Sequence, residues 1–258
     1  MRFLSAAHTD VGISKKINQD AFGLKIAKTS ESNIAFAIIC DGMGGLENGE
    51  LASAFVVNAF SNWFENEFPV MLNGHAKPDF TQIRQRWNGI AVDQGKKIME
   101  YGNNSHNSMG TTLTAILIVN HEYIYIQIGD SRIYKLGDSI VQLTKDQTLV
   151  AREVEMGRMT PEEAAADNRK NVLLQCIGAS KTIVPDIQTG VLKEDDVFLL
   201  CSDGFRHEIS EQEIFGVMAP PLLTDEKVMK KSLVDLINLN KKRNEKDNIT
   251  ALLVKAVH

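Results

Sequence analysis

The chain has 258 residues, 43% of them hydrophobic and 24% charged, the balance of a protein that buries a full core. Its 28 Lys plus Arg against 33 Asp plus Glu leave a net charge of -5, so no basic field exists to draw in nucleic acid or an anionic membrane. No apolar run reaches the roughly 20 residues of a spanning helix, and MRFLSAAHTD turns polar too early for a signal peptide, so a cytoplasmic location is expected.

Strands are predicted at Phe3–His8, Ala21–Ile26 and Ile34–Cys40, the last ending at Asp41 in IAFAIICDGMGG. Beyond Ala52, the residues Phe55, Val56, Ala59, Phe60 and Trp63 follow the i, i+3, i+4 spacing of a helix with one buried face. The polar stretch Asn66–Pro78 leaves the core, and Ile83, Trp87, Ile90, Ala91 and Ile98 then repeat the helical spacing. Strands follow at Thr112–Val119, Tyr123–Gly129 and Arg132–Leu136, with Asp130 in the tight turn of YIQIGDSRIY. Residues Gln147–Asn171 form a second excursion with a short helix after Thr160 and Pro161. Val197–Cys201 is a strand ending just before Asp203 and Gly204, Met229, Leu233, Leu236 and Ile237 mark a third long helix, and Ile249–Val254 is a strand introduced by Asp247. Strands in runs point to an α+β layering with antiparallel sheets, and without a linker or repeat the expectation is a single domain over 1–258. Cys40, Cys176 and Cys201, odd in number and set in apolar stretches, read as reduced buried thiols.

Asp41, Asp130, Asp203 and Asp247 all stand at strand ends, and each taken singly is an ordinary turn residue. Were these strand ends to meet, repulsion among partly desolvated carboxylates would cost several kcal/mol, and bound cations would relieve it. Oxygen donors without HxH or HExxH spacing favour hard ions such as Mg²⁺ or Mn²⁺ over Zn²⁺. By strand alternation Cys40 should turn into the core if Asp41 turns to the edge, while Cys201 shares the parity of Asp203 and is placed nearer the site.

In order along the chain, TDVGISKKINQD, DGMGG, MGTT, GDSRIY, LTKDQT, EMGRMTPEEA leading to NVLLQCIG, LLCSDGF and KDNIT resemble the signature blocks of the protein phosphatase 2C (PPM) family. The resemblance covers nearly the whole chain. It implies a four-layer α-β-β-α sandwich, two antiparallel sheets flanked by helices, with Gln147–Asn171 as a flap. It implies hydrolysis of phosphoserine and phosphothreonine on proteins by a hydroxide bridging two Mn²⁺ or Mg²⁺ ions. Asp41 would bridge the ions, the Gly42 carbonyl would bind one, Asp203 and Asp247 would hold the other, and Asp20 would act directly or through water. Asp130 with Asp203 matches the site of a third ion in bacterial relatives. The implied partners are phosphorylated proteins, targets of a Ser/Thr kinase, with the chain acting as a monomer.

The chain departs from the family pattern at several positions. Lys15 stands where an arginine usually grips phosphate with two parallel hydrogen bonds, which a lysine cannot do. Met43 replaces the histidine common in eukaryotic relatives, and Gln147, Lys170 and Gln175 replace residues that are often histidine or arginine. A cysteine-based phosphatase is excluded, because the residues six beyond Cys40, Cys176 and Cys201 are Leu46, Thr182 and His207 and not arginine. The rival class is a phosphatase-like binding module with weak catalysis, against which the retained Asp41, Asp203 and Asp247 speak.

Overall fold

The computed structural model describes residues 1–44, 48–72, 78–105 and 108–258. Gly45 of the DGMGG block and residues 73–77 of the first excursion lie outside them. In chain order the elements are strands β1 (Arg2–Asp10), β2 (Asp20–Lys28) and β3 (Asn33–Gly44), then helix α1 (Gly49–Asn62), which runs through a π-helical turn at Trp63–Glu67 into α2 (Phe68–Leu72). Helix α3 (Phe80–Ser105) leads into β4 (Met109–Thr111), β5 (Leu113–Val119), β6 (Glu122–Ile128), β7 (Arg132–Leu136) and β8 (Ile140–Gln142). Helices α4 (Leu149–Glu155) and α5 (Pro161–Ala166) precede β9 (Asp186–Val191) and β10 (Val197–Cys201). The chain closes with α6 (Asp203–Arg206), α7 (Glu211–Met218), α8 (Glu226–Lys242) and β11 (Ile249–Val257).

One sheet has the order β1-β11-β10-β7-β8 and the other β2-β3-β5-β6-β9, with β4 paired to β3. Every ladder is antiparallel. Alternation sorts the side chains into three apolar layers. Phe36, Ile38 and Cys40 of β3 face outward onto Phe60, Trp63 and Trp87 from the α1–α3 layer. Ala35, Ala37 and Ile39 face inward, where they meet Phe198, Leu200, Leu252 and Val254 of the other sheet. Leu199, Cys201, Ala251 and Leu253 face Ile214, Met229, Leu233, Leu236 and Ile237 of α7 and α8. The expected α-β-β-α sandwich therefore holds, its four layers glued by side chains that switch face at every residue.

Three short or peripheral strands escape the sequence pattern. β4 and β8 have 3 residues each, too few for a period-two signal. β9 reads DIQTGV and buries Ile187 alone, as suits a strand at the edge of its sheet. The second excursion contains the expected helix: Thr160 accepts from Glu163 N–H while Glu163 reaches back to the Thr160 backbone, with Pro161 in the first turn.

Candidate active site

The inter-sheet seam is apolar along most of its length and turns polar at one end. Asp41 has the parity of Ala37 and Ile39, Asp20 that of Phe22 and Leu24, Ser202 that of Leu200, and Thr250 that of Leu252 and Val254. Alternation thus aims two carboxylates and two hydroxyls into the same space. Asp20 and Asp41 stand directly opposite each other in the β2–β3 ladder. One oxygen of Asp20 accepts hydrogen bonds from Thr250 Oγ1 at 2.6 Å and Ser202 Oγ at 3.0 Å. The Asp41 backbone is held on both sides, its N–H donating to Thr112 Oγ1 at 2.8 Å and its carbonyl accepting from Thr112 N–H at 2.9 Å and Thr111 Oγ1 at 3.0 Å.

Two glycines let the bearing turns close on this point. A Cβ on Gly42 would collide with the carbonyl oxygens of Gly49 and Gln19, and one on Gly204 would collide with the carbonyl oxygen of Asn248. Only glycine permits these back-to-back approaches. The second brings the turn carrying Asp203 against the turn carrying Asp247. Asn248 then ties the chain's distant parts together: its side-chain oxygen accepts from Gln19 N–H at 2.9 Å, and its amide donates to the carbonyls of Val11 at 2.9 Å and Ile17 at 3.2 Å.

The result is a cavity of about 210 Å³ lined by Asp41, Gly42, Met43, Asp130, Asp203 and Asp247 together with Lys15, Gln19, Thr112, Asn171 and Leu173. Asp20 is not in the lining but stands opposite Asp41 in the β2–β3 ladder. Six of the seven candidate residues from the sequence therefore line one cavity, and the seventh pairs with one of them. Lys15 is exposed, with Nζ 2.9 Å from Asp247 Oδ1. Burial pulls its pKa down, but the bond to Asp247 and the surrounding carboxylates outweigh that and raise it.

The electrostatics are those of crowded acid groups. Burial first, with Asp203 and Asp247 adding to it, pushes Asp20 up to about 7 against the hydrogen bonds from Thr250 and Ser202. Burial, then Asp20 and Asp203, lift Asp41 well above the carboxylate range. Asp130 is pushed up to about 7 by burial and Asp203, with Arg206 opposing. Among the described residues no three acidic, His or Cys side chains form a tight ready-made cage; the carboxylates instead ring the cavity. The donor set still fits hard divalent ions. It is all oxygen, and Oδ1 of Asp20 and Oδ1 of Asp203 are buried without a hydrogen-bond partner, which is costly unless a cation meets them.

Four features correct or extend the sequence reading. Cys201 does not line the cavity: it is fully buried against the α7–α8 layer, because the strand ends there and alternation no longer relates it to Asp203 in α6. Cys40 faces the opposite layer, as alternation requires. Gln147 and Gln175 have an architectural task, Gln147 Oε1 accepting from Gly129 N–H at 2.9 Å and from Gln175 Nε2 at 2.8 Å, which clamps both ends of the second excursion to the β6–β7 turn. Arg206, His207 and Glu245 were not singled out from the sequence. His207 lies 3.5 Å from Asp203 Oδ2 and 3.2 Å from Glu245 Oε2, and Glu245 Oε1 accepts from Asp247 N–H at 2.8 Å. That chain braces Asp203 and the backbone of Asp247 together.

Comparison with known proteins gives a family match. Residues 9–253 match the model described as Protein phosphatase 2C. Protein phosphatase PhpP of Streptococcus pneumoniae is 32% identical over 249 residues, covering 95% of this chain and 94% of that protein. The solved serine/threonine phosphatase of S. agalactiae superposes with a TM-score of 0.83 at 31% identity, covering 99% of this chain and 100% of the other. The catalytic domain of the serine threonine protein phosphatase PstP, solved in complex with 2 manganese ions, superposes with a TM-score of 0.78 at 27% identity and 99% coverage of both chains.

Proposed function

The chain belongs to the protein phosphatase 2C family, and we propose that it hydrolyses phosphoserine and phosphothreonine esters on proteins at the acidic end of the inter-sheet seam. The observation that carries this reading is the convergence of Asp20, Asp41, Asp203 and Asp247 from four separate parts of the chain, with two buried carboxylate oxygens left without partners. Asp41, the Gly42 carbonyl, Asp203 and Asp247 would hold two divalent ions, Mn²⁺ or Mg²⁺, and Asp20, opposite Asp41, would act directly or through water. Such ions, when bound, lower the pKa of a ligated water and neutralise charge on a phosphoryl group.

The chain's own residues supply position and charge around that chemistry. Thr112 fixes the Asp41 backbone, and Ser202 and Thr250 hold one oxygen of Asp20 and leave the other without a protein partner. Lys15 offsets the charge of Asp247 and remains close enough to the cavity to attract an incoming phosphate. Met43 has no proton to donate, so a leaving-group proton would come from solvent. The two sheets share one apolar seam, which supports reading the chain as a single catalytic domain with 147–171 as its flap. No helix among the described residues is long and apolar enough to cross a membrane. Cytoplasmic location, monomeric state and partnership with a Ser/Thr kinase belong to the same proposal. The full acidic set argues against a binding module without catalysis.

The test is turnover of phosphothreonine peptides with Mn²⁺, with EDTA and Asp41→Asn as controls. Loss of activity in both controls is expected. An Asp41→Asn protein as active as the wild type, or turnover indifferent to chelator, would sink the reading.

A further inference from the structure

The flank of the acidic cavity at the β6–β7 turn is closed by the protein's own cations. Asp130, 5% exposed, lines both the small cavity and a neighbouring one of about 730 Å³ beneath α4 and α5. Arg206 ends the helical turn that begins at Asp203 and reaches across to it. Its Nη2 donates to the Asp130 backbone carbonyl at 3.1 Å and lies 3.5 Å from Asp130 Oδ2. On its other side the same nitrogen is 3.3 Å from Asp146 Oδ2. Asp146 is in turn gripped by Arg132 through two parallel bonds of 2.8 and 2.7 Å, and Arg132 also donates to the Tyr134 hydroxyl at 2.6 Å.

Arg132 already grips Asp146 with two parallel bonds, so Arg206, which reaches both carboxylates, still brings charge to Asp130. The Arg206 side chain is 13% exposed, too enclosed to swing freely into solvent. His207 stands beside it, between Asp203 and Glu245. A divalent ion shared by Asp130 and Asp203 would sit against this guanidinium with little water to screen the repulsion. The sequence resemblance implies a third ion at Asp130 and Asp203, and the residues present here do not suit one.

On the reading of the cavity as a divalent-ion centre, we infer that Arg206 is the counter-ion of Asp130, so that the centre takes two ions and its Asp130 flank takes none. The guanidinium is a fixed, non-exchangeable charge where an exchangeable one would otherwise be drawn in.

The experiment counts Mn²⁺ bound per chain after equilibrium dialysis, by elemental analysis and by the loss of free-ion electron paramagnetic resonance signal. The wild type should hold about two ions, Asp130→Asn should hold the same number, and Arg206→Gln should gain one that the double variant Arg206→Gln, Asp130→Asn loses again. Three ions in the wild type, an ion lost in Asp130→Asn, or no gain in a folded Arg206→Gln protein each overturns the inference while leaving the phosphatase reading intact. If Arg206→Gln does not fold by circular dichroism, the wild-type count and Asp130→Asn decide the matter. A wild type that binds no Mn²⁺ removes the ion centre and this inference with it.

Discussion

The cavity of about 210 Å³ at the end of the seam sets Asp41, Asp130, Asp203 and Asp247 against Lys15, whereas the cavity of about 730 Å³ beneath α4 and α5 sets Arg132, Lys145, Lys170, Arg206 and His207 against Asp130, Asp146 and Glu155. In the larger space most charges already have partners, Lys145 with Glu155 and Arg132 with Asp146 among them. In the smaller one four carboxylates share Lys15, which pairs with Asp247, and Oδ1 of Asp203 has no hydrogen-bond partner, nor has Oδ1 of Asp20 opposite Asp41. One region mixes both signs and pairs most of them, and the other is mostly acidic. The two meet at Asp130, where Arg206 marks the border.

The contrast breaks most severely if a central carboxylate is removed. Asp41→Asn or Asp203→Asn should lower kcat/KM by roughly 10³-fold, since ion-assisted stabilisation of a phosphoryl transition state is worth several kcal/mol. Steady-state kinetics on a phosphothreonine peptide measures this, and a loss under about tenfold would contradict the assignment. Next comes Gly204→Ala. The collision with the Asn248 carbonyl must push the two ligand-bearing turns apart, at a cost of about 1–3 kcal/mol in stability. Mn²⁺ affinity should fall with it, whereas Gly157→Ala, in open space at a φ of +68°, should cost only its local backbone strain. Equal loss of Mn²⁺ affinity in both variants would show that the close approach is unimportant.

The pH response sharpens the comparison further. Asp20, pushed up to about 7 chiefly by burial, sits above the ordinary carboxylate value of its unfolded form. Its contribution is therefore full below a pH of about 4 and is lost as pH rises through about 7. EDTA-treated protein should melt lower at pH 8 than at pH 5, and added Mn²⁺ should raise the melting temperature more at pH 8, where the ligands are deprotonated. Calorimetry showing no such difference would place the carboxylates in a solvated setting. The smallest effect belongs to Lys15→Arg, which restores a planar fork at the cavity. It should lower KM about threefold with little change in kcat, and an unchanged or higher KM argues against a phosphate-facing role.

Much of this was legible in the chain itself, for reasons that particular residues make plain. The run Ile34–Cys40 announced a buried strand, though the strand runs on past Asp41 to Gly44, and alternation alone separated Cys40 from Asp41. The same rule misled at Cys201, because a strand that turns into a helix after one residue has no parity to extend. Arg206 and His207 carried no periodic signal. Their importance arises from Asp130, Asp146 and Glu245, which are distant in sequence and adjacent only after folding. β9 was hidden because an edge strand with one buried residue looks like a loop.

The position of β11 between β1 and β10 has a consequence for biosynthesis. A nascent chain that has not yet delivered Ile249–Val257 leaves two bare strand edges facing each other across a gap. Thr250, which orients Asp20, and Asn248, which stitches the first loop to the last strand, arrive with that same segment. The centre is thus incomplete until residues 247–257 are in place, and fragments that stop short of that segment should carry the early carboxylates without the power to use them.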